Sequence, residues 1–178
     1  DLYRATRRAL AGEALQPETA VAEHQAEAAR LLRLYALSEQ VQDRFWAQLD
    51  TTYFLRHDPQ EIAWQTRNLH FRVESARPVV KARLAPIGEG LQVMIYMPDR
   101  EALFARICGY FERAGFNIVE AKIHTTRHRY ALDTFLVMGY GRGVHYRDLI
   151  SLIEQGLAEE LESRAPRGAP RGGRVSRR

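Results

Sequence analysis

Apolar side chains recur at helical spacing through the first 74 residues, where no strand-like alternation occurs. The spacing is clearest in two stretches, Val21–Tyr35 and Val41–Leu49. Asp58, Pro59 and Glu61 have the layout of a capping box with proline in the first turn, which predicts a helix from Pro59 toward Arg72. We therefore expect residues 1–76 to form a helical segment.

The period of the apolar residues changes to two beyond this segment. Alternation over Val79–Leu84 leads to a turn signal at Gly88–Gly90. A strand that starts at Leu91 stops at Pro98, because proline lacks the amide that a ladder of hydrogen bonds needs. A new domain is therefore expected to begin at residue 77.

A helix, a hairpin and a second helix follow this strand. Asp99 is placed to cap a helix over residues 100–114. Strands over residues 117–126 and 130–138 are joined by so short a turn that they must form an antiparallel hairpin. A second amphipathic helix then covers residues 146–161.

The resulting order, βαββα, predicts an α+β sandwich of the ferredoxin-like βαββαβ type that lacks its last strand. No apolar run follows residue 162, so we expect the fourth strand to be missing or supplied beyond the chain. The predicted organisation is a helical segment (1–76), the sandwich (77–162) and a basic, disordered linker or tail (163–178).

Charge changes the expected partners of this protein. The net charge is +4, but six arginines and no acid lie in residues 163–178, which leaves −2 on residues 1–162. The folded part therefore has no basic field that would steer it to nucleic acid.

The single cysteine, Cys108, cannot form an internal disulfide, and no apolar run approaches the ~20 residues that cross a bilayer. We expect a cytoplasmic protein with no membrane partner.

The motifs of catalysis do not form a site in this sequence. His57-Asp58 matches a metal-ligand dipeptide of phosphohydrolases, but further ligands are missing and Asp58 is explained as a helix cap. Glycines at 139, 141 and 143 lack the Lys-Ser/Thr of a phosphate loop. We predict no catalytic residue, no metal ligand and no cofactor in this chain.

An RNA-recognition motif shares the βαββαβ order and is one alternative. Its third strand would carry a basic residue, glycine and aromatics in register. Residues 129–135 instead read RYALDTF, with Asp133 where stacked bases would lie. The third strand thus disfavours RNA binding.

Two runs, MPDREALFARI at 97–107 and GFNIVEAKI at 115–123, resemble an ACT domain, a small effector-binding fold. The run YFLRHDPQEIAW at 53–64, together with LYRATRR at 2–8, resembles the bifunctional uridylyltransferase/uridylyl-removing enzymes of the PII nitrogen-signalling protein. The second resemblance is the more specific, because ACT domains in general lack this helical run. Together the runs extend over nearly the whole chain.

The resemblance implies a nucleotidyltransferase domain that modifies PII, a metal-dependent hydrolase domain that reverses the modification, and two ACT domains that respond to glutamine. This chain would hold the end of the hydrolase region and the first ACT domain. Both sets of catalytic residues, and the Mg²⁺ or other divalent metal that they use, would lie before residue 1. The expected partners are glutamine, PII, and a second ACT domain or another chain for ACT pairing.

ACT domains commonly bind their amino acid between two domains. The resemblance places one side of the site on the loop and helix start, and the other side at a strand start. The corresponding residues here are Asp99, Arg100, Glu101, Ala102, Leu103, Phe104, Asn117 and Ile118. One departure is Ala102, where many ligand-binding ACT loops carry glycine. A structural ACT-like domain that docks or pairs without binding a ligand is therefore a second alternative.

Overall fold

The computed structural model describes residues 17–141 and 143–163. The opening run at 2–8 and the predicted basic tail therefore lie outside the described residues, except for Ser163. Six helices and four strands are present in the described ranges. In chain order they are α1 (Pro17–Leu34), α2 (Asp43–Trp46), α3 (Thr51–Arg56), α4 (Pro59–Leu69), β1 (Val79–Leu84), β2 (Leu91–Pro98), α5 (Leu103–Arg113), β3 (Phe116–Lys122), β4 (Tyr130–Gly139) and α6 (Tyr146–Glu162).

Side-chain caps explain where the short helices of the first segment begin. A side-chain oxygen of Asp50 accepts from the amide of Tyr53 at the start of α3. Asp58 does the same for the amide of Glu61 (2.8 Å) at the start of α4, and Pro59 occupies the first turn. The predicted start of this helix is confirmed. The Glu61 carboxylate accepts from Nζ of Lys122 in β3, whereas in a capping box it would accept from the amide of the cap residue.

All four strands pair antiparallel in the order β1-β2-β4-β3. The predicted α+β fold with an ACT-type arrangement is confirmed, but the expectation that its fourth strand is missing is wrong. β1 occupies the outer position beside β2, with Val79 opposite Tyr96 and Leu84 opposite Leu91. The strand is thus supplied before α5 rather than after α6.

Helices cover both faces of the sheet. Alternate residues of the strands, including Val93, Ile95 and Phe135, pack with Ile107 of α5 and Leu157 of α6 in one apolar cluster. The other face of the sheet meets the helical segment in a second cluster, to which Phe45, Tyr53, Ile62, Met94, Tyr96 and Leu132 belong. The sheet is therefore the middle of three layers, and burial of apolar area on both of its faces holds the segment to it.

β3 departs from the expected strand over residues 117–126 because of a β-bulge. The register jumps between Ile118, opposite Val137, and Glu120, opposite Leu136. Ile118 and Ala121 therefore share the face packed by α5 and α6, while Val119 is 56% exposed. The simple alternation of a regular strand, which would place Val119 and Ala121 on one face, is therefore interrupted.

None of the helices within residues 17–141 and 143–163 combines the length and apolarity that a bilayer crossing requires.

Candidate effector site at the start of helix α5

Helix α5 begins without a side-chain cap. Its N-cap residue is Ala102, which adopts a left-handed conformation (φ 60°, ψ 16°) and makes no capping hydrogen bond through its side chain. The predicted helix start at residue 100, with Asp99 as the cap, is wrong, because the left-handed Ala102 separates Asp99 from the first helical residue, Leu103; the Asp99 amide donates to the Arg129 carbonyl oxygen (2.9 Å). The amides of the first turn thus lack a side-chain acceptor and favour an anion.

A cavity of about 380 Å³ lies beside this loop. Residues from four parts of the fold line it: the approach to β1, the end of β2, the loop before α5 and the end of α6. They are Ala76, Arg77, Pro78, Met97, Pro98, Asp99, Arg100, Leu161 and Glu162. The lining carries both positive and negative side chains, which suits a zwitterion better than a simple ion.

Two arginines bind the end of α6, and one of them, Arg100, also lines the cavity. The Arg100 guanidinium donates to the Leu161 carbonyl oxygen. Arg106 donates to the carbonyl oxygens of Glu160 and Ser163, the latter at 2.9 Å. Cations at a helix C-terminus complement its dipole, so these contacts fix the end of α6 against the start of α5.

A buried acid, Asp133, lies in β4 below this loop. It is 3% exposed, and its Oδ1 accepts from the amide of His124 at 3.4 Å. Burial raises the pKa of Asp133 to about 6, with Asp99 adding to the rise and the His124 amide opposing it. The Asp133 carboxyl therefore holds its proton to a higher pH than an exposed aspartate does.

The structure divides the eight predicted ligand residues between two ends of the domain. Residues 99–104 lie at the start of α5, whereas Asn117 and Ile118 lie beyond its other end, and an 11-residue helix spans about 16 Å. Asn117 is exposed and its Oδ1 accepts from the Tyr140 hydroxyl (2.7 Å), while Ile118 packs into the apolar core. One ligand cannot touch both groups within a single copy of the domain.

Within the loop itself, the predicted residues have different roles. Asp99 and Arg100 line the cavity, and Glu101 is exposed. Leu103 is buried in the core at 3% exposure and so holds the helix in place. Phe104 is 49% exposed and stacks on Phe135 with ring centroids 6.1 Å apart.

Sequence reasoning missed the cavity residues outside this loop, namely Ala76, Arg77, Pro78, Leu161 and Glu162. A usable signal existed for two of them. The alternation over Val79–Leu84 and the turn at Gly88–Gly90 predict a hairpin, and its register places Arg77 and Pro78 near the end of β2. The end of α6 had no such signal, because its position depends on tertiary packing.

The His57-Asp58 dipeptide lies on the other side of the sheet, in the helical segment between α3 and α4. His57 is 1% exposed, its Nδ1–H donates to the Tyr53 carbonyl oxygen (2.8 Å), and burial lowers its pKa to about 4. Its Nε2 lies 3.4 Å from Glu61, and this contact is not an ion pair at pH 7 because the imidazole is neutral. Lys122 pairs with Glu61 at 3.1 Å instead.

Residues 17–141 and 143–163 contain no group of three or more His, Cys, Asp or Glu side chains that could hold a metal ion. The divalent metal implied by the family resemblance therefore has no matching donor set in the described part of the chain.

Similarity to known proteins covers nearly the whole chain. Residues 16–68 match the family model described as the uridylyltransferase GlnD fifth domain. The chain is 51% identical to the bifunctional uridylyltransferase/uridylyl-removing enzyme of Ralstonia nicotianae, 51% to that of Cupriavidus pinatubonensis and 48% to that of Aromatoleum aromaticum. Each alignment covers 99% of this chain and 20–21% of the relative, and no solved structure matches.

The chain thus spans about a fifth of the length of the curated relatives that it matches. The resemblance of the run at 53–64 to these enzymes is confirmed by alignments that extend across both the helical segment and the sheet. Over 99% of its length, the chain is a homologue of one section of the bifunctional uridylyltransferase/uridylyl-removing enzymes.

Proposed function

We propose that this chain is a regulatory, glutamine-sensing ACT module of a protein that attaches uridylyl groups to PII and removes them. The names of its relatives supply the two activities. The module itself contributes effector binding and no catalytic residue, and the transferase and hydrolase chemistry belongs to other parts of such a protein. We further propose that the protein works in the cytoplasm.

The observation that carries this proposal is the uncapped start of α5 beside a cavity with charges of both signs. The first-turn amides would donate hydrogen bonds to the α-carboxylate of an amino acid. The Asp99 carboxylate would accept from its α-amine. The cavity of about 380 Å³ has room for the side-chain amide of glutamine.

Asn117 and Ile118 would serve the ligand of a neighbouring ACT domain, because they lie at the far end of their own. Ile118 would contribute its strand backbone, since its side chain packs in the core. Release of the Asn117 amide from the Tyr140 hydroxyl would free it for a glutamine side chain. A second ACT domain or another chain is thus the partner that completes the site.

Calorimetric titration of the 178-residue chain with L-glutamine tests the proposal, with L-glutamate and L-asparagine as competitors. We expect saturable binding that is selective for glutamine and about tenfold weaker in Asp99→Asn, because a charge-assisted hydrogen bond is weakened. Glu23→Gln, on the exposed face of α1, is the matched control and should bind like the parent chain. Absence of binding at millimolar glutamine would refute sensing by this domain alone.

A docking domain that binds no ligand is the second candidate, and one observation favours it. β3 is an edge strand of the sheet; Val119 on this strand is 56% exposed, and Ile123, directly after it, is 42% exposed. Such a strand is suited to pairing with another domain. Sedimentation of the chain with and without glutamine separates the candidates: self-association without any response to glutamine would favour docking.

RNA binding has less support from the fold. The base-stacking surface of an RNA-recognition motif is the open face of its sheet. In this protein that face is covered by the helical segment, and Met94, Tyr96 and Leu132 are buried there. The sheet therefore offers no open platform for bases.

A further inference from the structure

A second cavity, of about 250 Å³, lies on the opposite side of the sheet from helices α5 and α6. It is bounded by the end of α1, by α4 and by β1, so it joins the helical segment to the sheet. Two arginines from different elements line it, Arg67 of α4 and Arg83 of β1, together with the aromatic residues Tyr35 and Trp64.

Both guanidinium groups are held in place by aromatic rings. The Cζ of Arg67 lies 3.7 Å from the ring centroid of Tyr35, and that of Arg83 lies 4.3 Å from the ring centroid of Trp64. The Nε–H of Arg83 also donates to Oε1 of Gln92 on the adjacent strand (2.7 Å). The two groups are therefore oriented before any ligand arrives.

Each guanidinium retains a buried donor without an acceptor. The Nε of Arg67 and the Nη2 of Arg83 are buried and have no hydrogen-bond partner. No carboxylate in the described ranges lies within 4.0 Å of either group, although Glu61 and Asp58 are close enough to act electrostatically on Arg83. Buried, unpaired donors on two like charges are costly, and an anion between them would remove that cost.

We propose that this cavity binds a small oxyanion, a phosphate or a carboxylate, through Arg67 and Arg83 together. Planar guanidinium groups match both oxyanions in geometry. The volume suits a small molecule rather than a polypeptide segment. Because the arginines come from α4 and β1, a bound anion would also fasten the helical segment to the sheet. The proposal is independent of amino-acid binding at the start of α5.

Titration calorimetry of the full chain at constant ionic strength tests this site, with inorganic phosphate and glutarate as separate probes. We expect saturable binding of at least one probe, about tenfold weaker in Arg67→Gln and in Arg83→Gln. Arg72→Gln is the matched control, because the Arg72 guanidinium also lies over an aromatic ring (4.8 Å, Phe71) but does not line this cavity. That variant should bind like the parent chain.

Circular dichroism would show whether the variants fold. If Arg67→Gln or Arg83→Gln unfolds, Arg67→Lys and Arg83→Lys keep the positive charge but lack the planar guanidinium group. Severalfold weaker binding in either Lys variant supports the proposal. The probe that binds identifies the oxyanion class. Saturable binding of neither probe, or equal binding by the parent chain and the Arg67 and Arg83 variants, would overturn it.

Discussion

The ion pair between Glu61 and Lys122 connects the helical segment to β3, and its removal should destabilise the fold. The Glu61 side chain is 4% exposed, whereas that of Lys122 is 21% exposed. Lys122→Met leaves the carboxylate buried without a paired cation, since the neighbouring His57 is neutral at pH 7 and Arg83 acts on Glu61 only from beyond ion-pair distance. The loss of a buried partner costs about 3 kcal/mol, which corresponds to a fall of about 6–12 °C in Tm for a chain of this size.

The cost should depend on pH. Burial raises the pKa of Glu61 above its ordinary 4.5 although Lys122 opposes the rise, so the folded state binds more protons than the unfolded state above pH 4.5. The contribution of Glu61 to the free energy of unfolding therefore falls as pH rises from 4.5 through the raised pKa of this carboxyl. The fall is steeper without Lys122. We expect Lys122→Met to cost about 1 kcal/mol at pH 5, where Glu61 can take up a proton.

Urea unfolding at both pH values measures the free energies. Lys81→Met is the matched control: Lys81 lies on the same sheet face, in β1, and has no salt bridge among the described residues. The double variant Glu61→Gln/Lys122→Met should recover about 2 kcal/mol of the loss at pH 7, because no carboxylate is left unpaired. A cost below about 0.5 kcal/mol, or the same cost at both pH values, would refute this account.

Three further substitutions test other features of the fold. Ala102→Gly should raise the free energy of unfolding by about 1 kcal/mol, because glycine adopts the left-handed conformation without strain. The control Ala26→Gly, on the exposed face of α1, should lower it by about the same amount. A loss of stability in Ala102→Gly would contradict the loop geometry. Asp58→Ala should cost about 1 kcal/mol in urea unfolding through loss of the α4 cap, and no change would mean that the cap is dispensable. The rise of the Asp133 pKa from 3.8 to about 6 makes the free energy of unfolding fall as pH rises through that range. In thermal unfolding, Asp133→Asn should therefore gain about 2 kcal/mol at pH 7 and little at pH 4, provided that its amide oxygen still accepts from the His124 amide. An equal gain at both pH values would contradict the link to ionisation.

The sequence pattern predicted helix and turn positions well where the residues that determine them lie within one turn of the chain. Asp58 and Pro59 start α4 as expected, because a cap and a proline act within one turn. The turn at Gly88–Gly90 also holds: Gly90 has φ 112°, and an added Cβ would lie 2.5 Å from the Val137 carbonyl oxygen. Such positions can be identified without tertiary information.

The errors arose where tertiary structure decides. Val79–Leu84 alternates like a strand, yet its place at the sheet edge beside β2 is set by pairing with a strand elsewhere in the chain. The bulge at Val119 has no residue-type signature. At the start of α5, Asp99 has the right type for a cap, but its backbone bonds to Arg129 and the helix begins after Ala102. The eight ligand residues came from the family resemblance, whereas the cavity beside Asp99 is assembled from distant segments.

We propose that the start of α5 receives an amino acid. Titration of the ¹⁵N-labelled chain with L-glutamine, followed by amide chemical shifts, tests it most directly. We predict saturable shifts that are largest for the amides of residues 99–105 and for Arg77 across the cavity, with Ala26 unmoved. A titration in which these amides stay still, or in which every amide drifts without saturation, would contradict the claim.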